Sequence, residues 1–264
     1  MALTTPNSLQ RREYKYLVTE DVAEQIRRYI RGVCTIDPYA AKTGGRYLTD
    51  TLYLDTPQLH SYWATINDAS DRYKLRVRGY PSLGSGPVFF EVKRRVSEAV
   101  KKTRGWFRGD WTRVLHDGTH AVLATIEAKQ RRAIDNFICH YHLSPMQPSV
   151  LVRYEREPFF STIDEYARVT FDRQLSFQRA TAMTLIPEHD QWTYIDYASA
   201  QRGFSLSESS VLLELKFTNM VPGWMRSMVH TLGLQRLAFC KYTRAVDSLR
   251  FVPERRIARA GLFG

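Results

Sequence analysis

The chain has 264 residues, of which 44% are hydrophobic, and its 38 Lys and Arg against 27 Asp and Glu give a net charge of +11. This composition excludes a chain that is disordered throughout, because it supplies enough apolar surface for a core. The length fits one large β-rich domain, and the positive charge favours an anionic partner such as nucleic acid, an acidic membrane surface or a phosphate-rich small molecule.

In chain order, we predict a strand at 9–18, a helix that Thr19 caps, a strand at 46–56, a helix at 57–66 with Pro57 at its start, and strands at 71–80, 88–96 and 101–109. One or two helices follow at 118–143, then strands at 149–159, 166–175 and 211–217, and finally closing helices at 221–234 and 237–250. Helices stand mostly between groups of adjacent strands and at the end. This order predicts an antiparallel α+β architecture, most simply a closed eight-stranded β-barrel with helices packed outside. We find no linker, so we expect one domain over 1–264.

Cysteine spacing and hydropathy indicate the cellular setting. The three cysteines, Cys34, Cys139 and Cys240, are odd in number and lack the spacing of a metal site. We therefore expect reduced thiols and a cytoplasmic protein. No apolar run approaches 18 residues, so we expect no transmembrane segment, and the first residues contain no apolar signal region. Residues 254–264 are basic, and we expect them to form a flexible tail.

Charged residues recur at alternate positions in most of the predicted strands. In VLLELKF, at 211–217, Glu214 and Lys216 point to one face, because successive side chains of a strand alternate. The other charged residues that share a face are Glu13 with Lys15, Arg76 with Arg78, Glu91 with Lys93, Arg153 with Glu155, and Arg168 with Asp172. One interpretation is the wet outer face of a barrel. Because Leu212 shares the face of Glu214, we favour an inward charged lining, with the apolar faces packed on helices.

An inward lining of this kind needs a ligand that neutralises it, since desolvating unpaired ions is costly. A polyphosphate chain with a divalent metal would do so: Arg makes planar bidentate contacts with phosphate, Lys supplies a point charge, and carboxylates hold the metal. The inward bases would be Lys15, Arg76, Arg78, Lys93, Arg153, Arg168 and Lys216, and the inward acids would be Glu13, Glu91, Glu155, Asp172 and Glu214.

A series of motifs resembles one known family. In order, RREYKY, TLYLDT, YKLRVRGY, FFEVKRR followed by KKTR, LVRYERE, RVTFDRQL, LLELKF and FCKYTRA resemble the VTC domain of the triphosphate tunnel metalloenzymes, which also include the CYTH phosphatases and cyclases. The resemblance runs from about Leu9 to Leu249. It implies an eight-stranded tunnel that binds triphosphates with Mn²⁺ or Mg²⁺, and an enzyme that transfers the γ-phosphoryl group of ATP to a growing inorganic polyphosphate chain.

The resemblance also implies roles for individual residues. Lys15, Arg76, Arg78, Lys93 and Lys241 would be catalytic, and the phosphate-binding set would be Lys15, Arg76, Arg78, Lys93, Lys102, Arg153, Arg168 and Lys241. Lys216 is a further phosphate-binding candidate from the inward lining; the alternative is that it only balances the charge of Glu214. For the strand containing KKTR, Lys101 and Arg104 are alternatives to Lys102. Glu214 would bind the metal, with Glu13 and Asp172 as weaker candidates for further carboxylates.

The sequence departs from the family pattern at several points. Arg11 stands where the CYTH enzymes have the first acid of E-x-E-x-K, which favours polymerisation over hydrolysis. Thr65 stands where a further tunnel arginine is expected, so that one phosphate contact would be absent or supplied elsewhere. We also expect neither a regulatory SPX domain nor a membrane module.

Three other functions stay open from the sequence. A triphosphatase on the same fold would use water as the acceptor, and a polyphosphate sensor would bind without turnover. A nucleic-acid-binding module would use Trp106, Phe107 and Trp111 for stacking, beside Arg104 and Arg108. We expect ATP and inorganic polyphosphate as partners and no nucleic acid. The sequence leaves open the oligomeric state and whether a membrane-protein partner exports the product.

Overall fold

The computed structural model describes residues 11–81, 86–97, 99–116, 126–194, 210–249 and 251. The strands of this part of the chain are β1 (Arg11–Thr19), β2 (Cys34–Ile36), β3 (Tyr47–Asp55), β4 (Asp71–Gly79), β5 (Val88–Val96), β6 (Ala99–Phe107), β7 (Gln147–Ser161), β8 (Ala167–Arg179), β9 (Thr193–Tyr194) and β10 (Ser210–Thr218). The helices are α1 (Glu20–Ile30), α2 (Pro38–Ala41), α3 (His60–Ile66), α4 (Trp111–His116), α5 (Ala128–His142), α6 (Gly223–Thr231) and α7 (Lys241–Ser248). All eight predicted strands are present, and β2 and β9 are two short additions.

The chain forms two compact units, each built from three stretches of sequence. The described part of unit 1 comprises 11–47, 155–174 and 210–239, and that of unit 2 comprises 48–81, 86–97, 99–116, 126–154, 175–194, 240–249 and 251. Neighbouring strands follow the order β1-β10-β8-β7 in unit 1 and β7-β3-β4-β5-β6 in unit 2, and the register is antiparallel at β1–β10, β10–β8, β3–β4, β4–β5 and β5–β6.

The structure corrects the prediction of a closed barrel. Within the described ranges, the path of hydrogen-bonded strands starts at β1 and ends at β6, and these two strands do not pair with each other. Closure requires one further non-local pairing with a matching stagger, which the face pattern of individual strands does not specify. The observed fold is an antiparallel, sheet-rich α+β fold.

In unit 1, the apolar face of VLLELKF packs against helices, as predicted. Val211, Leu213, Leu215 and Phe217 share a buried cluster with Ile26 and Ile30 of α1 and Met225 and Met228 of α6. Helix α1 begins after Thr19, whose hydroxyl accepts a hydrogen bond from the backbone N–H of Val22. This packing leaves the charged face of β10 turned away from the helices.

In unit 2, helix α5 covers one face of β4, β5 and β6. Ile134 and Phe137 of α5 are fully buried in a cluster with Leu75, Val77 and Phe90 of the strands. Since alternate residues face opposite ways, the cations of these strands that lie between the apolar residues point to the other face.

Helix α3 begins later than the sequence predicts. Pro57 does not start it; the helix begins at His60, after Leu59 in the left-handed region (φ 57°). The carboxylate of Asp55 instead caps this end, because it accepts hydrogen bonds from the backbone N–H groups of Ser61 and Tyr62 at 2.8 and 3.0 Å.

Two further expectations concern the C-terminal tail and the absence of a transmembrane segment. The predicted flexible tail at 254–264 lies outside the described residues. None of the helices in the described ranges has the length and hydropathy needed to cross a membrane.

Candidate functional site

Eight cations share one face of β4, β5 and β6 in the described part of unit 2. Two of them, Arg72 and Arg95, lie opposite each other at one end of this face, near Asp68, and the other six form the surface described below. The register places Arg76 opposite Glu91 and Glu91 opposite Arg104, and the neighbouring row runs through Lys74, Lys93 and Lys102. Directly opposite residues project from the same face of a sheet. We call this surface the basic face; its members are Lys74, Arg76, Arg78, Lys93, Lys102 and Arg104.

A single carboxylate lies at the centre of the basic face. Glu91 is fully buried, and four cations contact it: Arg76 Nε at 2.6 Å, Lys102 Nζ at 2.6 Å, Arg104 Nε at 3.3 Å and Arg78 Nη2 at 3.8 Å. Burial by itself would raise the pKa of Glu91, but these four cations outweigh burial and hold the pKa well below its ordinary value. One ionised carboxylate thus faces four cations, an excess of positive charge that suits an anionic ligand.

Of the four cations that contact Glu91, Lys102 is the one that loses its proton most readily. Burial of its ammonium, reinforced by Arg76 and Arg78, lowers the pKa of Lys102 to about 7, although Glu91 opposes the shift. The side chain as a whole keeps 41% of its exposure, so that solvent and ligands reach it. A phosphate beside Lys102 would favour the charged ammonium.

Neighbouring groups orient Arg76 and Arg78 of β4. Arg76 Nη1 donates to the hydroxyl of Tyr53 at 2.9 Å, and Arg78 Nε donates to Oγ1 of Thr51 at 3.3 Å. In the next row, Lys74 Nζ donates to Oγ1 of Thr65 at 2.5 Å. A lysine of β4 therefore contacts Thr65, at the position where the family pattern led us to expect an arginine.

Helix α7 adds Lys241 beside the same part of unit 2. Lys241 is buried, and its Nζ lies 4.7 Å from the ring centroid of Tyr154. The next residue, Tyr242, stacks on Tyr53 with ring centroids 5.1 Å apart and donates a hydrogen bond to Asp55. Because Tyr53 also contacts Arg76, the start of α7 lies next to the basic face.

In unit 1, a second charged cluster surrounds Glu214. The register places Lys15 opposite Glu214, and Thr170 opposite it on the other side. Glu214 is buried and accepts hydrogen bonds from Lys216 Nζ at 2.8 Å and Arg156 Nη2 at 3.0 Å, with Lys15 Nζ at 4.0 Å. The expectation that Glu214 and Lys216 point away from the apolar cluster is confirmed.

Lys15 links this cluster to other parts of unit 1. Its Nζ lies 3.2 Å from Glu13 and donates to the carbonyl oxygen of Phe239 at 2.7 Å. Arg168 lies opposite Lys216, with its guanidinium over the rings of Phe160 and Tyr166 at 4.2 and 5.0 Å. Its buried Nε has no hydrogen-bond partner among the residues that the structure describes. An acceptor such as a phosphate oxygen would satisfy that donor.

Arg156 of β7, which the sequence does not single out, contacts Glu214. Arg156 donates to both carboxylate oxygens of Asp172, at 2.6 and 2.7 Å, as well as to Glu214. Arg153, which the sequence analysis assigned to phosphate, makes a bidentate pair with Asp50 in unit 2 at 2.7 Å. Asp50 alternates with Thr51, the partner of Arg78, so Arg153 lies on the opposite face from the basic face.

The register of β5 and β6 divides the three basic residues of KKTR between the two faces of the sheet. Lys102 lies opposite Lys93 and Arg104 lies opposite Glu91, so both belong to the basic face, whereas Lys101 lies opposite Arg94 on the other face. Alternation in the sequence could have found Arg104 together with Lys102. No local signal pointed to Arg156, because 150–152 is apolar on both faces of β7.

The described carboxylates fit a metal site only in part. Among them, no group of three or more His, Cys, Asp and Glu side chains is arranged to hold a metal ion. Glu214 is surrounded by cations, and both oxygens of Asp172 accept from Arg156. Mg²⁺ commonly binds one or two carboxylates together with substrate phosphates. Glu214 and Glu13 suit that arrangement, in which phosphate oxygens complete the coordination.

The fold is similar to that of a solved structure. A putative adenylyl cyclase from Hippeastrum, described as having a dominant triphosphatase activity, aligns with a TM-score of 0.50 at 15% identity, over 92% of this chain and 98% of that chain. A protein from Pyrococcus horikoshii OT3 aligns with a TM-score of 0.43 at 10% identity, over the same shares of the two chains. No curated protein matches the sequence.

The family assignment comes from the sequence as a whole. The family model described as the VTC domain matches residues 10–250. This range contains the basic face, the Glu214 cluster and Lys241. The chain therefore belongs to the VTC domain family.

Proposed function

We propose that this chain is a metal-dependent polyphosphate polymerase, which transfers the γ-phosphoryl group of ATP to a growing inorganic polyphosphate chain. The observation that carries the proposal is the set of four cations around the single carboxylate of Glu91. Membership of the VTC domain family and the resemblance of the ordered motifs to polyphosphate-synthesising members support it.

Phosphoryl transfer needs positioning and charge neutralisation more than a covalent nucleophile. A terminal oxygen of the acceptor phosphate forms a bond to the γ-phosphorus, the bond from that phosphorus to the β–γ bridging oxygen breaks, and ADP leaves. In unit 2, Arg76 and Arg78 supply planar donors for phosphate oxygens, and Lys93, Lys102 and Lys241 supply ammonium charges. These groups hold the triphosphate and stabilise the charge that moves to the leaving oxygen.

The carboxylates of unit 1 are proposed to serve the divalent metal, Mn²⁺ or Mg²⁺. Glu214 is the principal candidate ligand and Glu13 is the second; Asp172 is a weaker candidate, because Arg156 occupies both of its oxygens. Lys15, Arg168 and Lys216 are proposed to contact phosphates in the same unit. When bound, such a metal would neutralise phosphate charge and polarise the transferred group.

A triphosphatase is the second candidate. The same cations would hold the substrate, but water would replace the acceptor phosphate. The observation that favours it is the fold match to the Hippeastrum protein, which is described as having a dominant triphosphatase activity. The two functions differ in their product rather than in the residues that they require.

Incubation with γ-labelled ATP and Mn²⁺ separates the candidates. A polymerase puts the label into long chains, a triphosphatase releases labelled orthophosphate, and a binding module does neither. We expect labelled chains from the native protein. We expect Glu214→Gln to lose turnover by about 100-fold or more while retaining much of its tripolyphosphate binding. Full metal-dependent activity of Glu214→Gln would overturn the assignment of Glu214.

A further inference from the structure

The basic face ends in an aromatic surface. Next to the row Arg76–Glu91–Arg104, the register forms the row Arg78–Phe89–Trp106. Directly opposite residues share a face of the sheet, so Phe89 and Trp106 point to the same side as the cations. Packing accounts for the neighbouring Phe107, which is buried, but not for Trp106, which is 44% exposed.

Arg104 joins this aromatic surface to the carboxylate centre. Its guanidinium carbon lies 3.7 Å from the ring centroid of Phe89, and its Nη2 donates to the hydroxyl of Tyr80 at 3.0 Å. The rings of Tyr80 and Phe89 meet edge to face, with centroids 5.5 Å apart. The Nε of Arg104 is 3.3 Å from Glu91. We call Tyr80, Phe89 and Trp106 the aromatic platform.

The spacing along the strands suits a nucleotide. Residues on one face of a strand recur every two positions, about 7 Å apart. Trp106 therefore stands roughly 7 Å along β6 from Arg104 and roughly 14 Å from Lys102. Aromatic rings and guanidinium planes both stack on nucleobases. A base at Trp106 leaves its phosphates to extend along the basic face toward Lys102 and Lys93.

We propose that the aromatic platform binds the base of the donor nucleoside triphosphate and so directs its terminal phosphate toward Lys93 and Lys102. This inference rests on the proposed function, because it takes a nucleoside triphosphate as the donor. It assigns separate tasks to two groups of side chains on one sheet face: the aromatic platform holds the nucleoside, and the cations of the basic face hold the phosphates.

Calorimetric titrations with ATP and with inorganic tripolyphosphate test the assignment, because only ATP carries a base. We expect Trp106→Ala to weaken ATP binding roughly 5- to 100-fold and to leave tripolyphosphate binding unchanged, whereas Trp106→Phe retains most of the ATP affinity. Tyr39→Ala, which removes another exposed ring (Tyr39 is 64% exposed) in unit 1, is the matched control and should alter neither affinity.

The inference would be overturned if Trp106→Ala lost no affinity for ATP, or if it lost affinity equally for ATP and tripolyphosphate. A parallel titration with a single-stranded oligoadenylate gives a third test: a loss of affinity confined to that ligand would indicate a nucleic-acid-binding surface and would also overturn the inference. The titration needs no turnover. A chain that binds ATP through Trp106 but makes no polyphosphate would therefore keep this inference and lose the proposed polymerase function.

Discussion

Lys102 donates a hydrogen bond to a buried carboxylate, yet its pKa falls to about 7. Burial and the nearby Arg76 and Arg78 cause the fall, and Glu91 only partly opposes it. The amine of Lys102 is therefore protonated and charged below pH 7, and in the free protein it loses this proton as the pH rises above 7. A bound phosphate favours the charged form and raises the pKa of Lys102 again, so binding is coupled to protonation.

Tripolyphosphate binding at about pH 8 should therefore take up a proton at Lys102. Calorimetry in buffers of different ionisation enthalpy measures this uptake. We expect smaller proton uptake in Lys102→Met, which also binds tripolyphosphate more weakly because it lacks the charge. We expect smaller uptake in Lys102→Arg too; this variant keeps the charge, so the uptake that remains measures the protons of the ligand itself. Equal proton uptake by the native protein and both variants would contradict a role for Lys102 ionisation.

At the scale of the element, strand β7 carries two arginines that project differently. Arg153 pairs with Asp50, and Arg156 pairs with Asp172 and Glu214. The two positions are three residues apart, an odd number, so they lie on opposite faces of a regular strand. Only Arg156 belongs to the face that carries Glu214.

Alanine substitutions of these two arginines should separate stability from function. Both leave a buried carboxylate without its main partner, so both lower the melting temperature; for Arg156→Ala we expect a loss of about 3–5 kcal/mol. Only Arg156→Ala should also lower ATP turnover, whereas folded Arg153→Ala should retain it. Turnover that falls in Arg153→Ala and persists in Arg156→Ala would reverse the assignment of the two faces.

The contact between β6 and α5 supports the basic face from behind. A Cβ atom added to Gly105 would stand 2.7 Å from Cγ1 of Ile134 and 3.0 Å from the backbone oxygen of Gln130. Helix α5 thus packs directly on the backbone of the strand that carries Lys102 and Arg104. A side chain here would push the helix away.

Gly105→Ala is expected to destabilise the protein by about 1–3 kcal/mol, because the added methyl meets the helix backbone. Gly32→Ala is the matched control, since a Cβ there meets nothing within 4 Å, and it should change the stability by less than about 0.5 kcal/mol. Denaturant unfolding followed by circular dichroism measures both. Equal stability of the two variants would show that α5 does not pack on Gly105 in solution.

At the scale of the whole molecule, the periodicity of the sequence predicts individual strands and their faces better than it predicts which strands pair. Alternation located the eight main strands and placed Glu214 and Lys216 on the face opposite Leu213 and Leu215, because the apolar face of β10 packs on helices. In β7 alternation does not choose a face, because Val150, Leu151 and Val152 are all buried and either face could carry the charges. It failed on closure, since pairing of the first and last strands depends on non-local stagger. The metal-binding role of Glu214 stays a prediction.

Binding of triphosphates to the basic face is the central claim, and it precedes any choice between polymerase and triphosphatase. The most direct measurement is a calorimetric titration of tripolyphosphate into Arg76→Met and Lys93→Met, with Arg94→Met as control. Arg94 lies in the same sheet and carries the same charge, but it points to the opposite face, where it pairs with Asp71 at 2.6 Å. We predict that Arg76→Met loses about 10- to 100-fold in affinity, that the exposed Lys93→Met loses less, and that Arg94→Met binds as the native protein does. Equal losses in all three variants, or no loss in Arg76→Met, would contradict the claim.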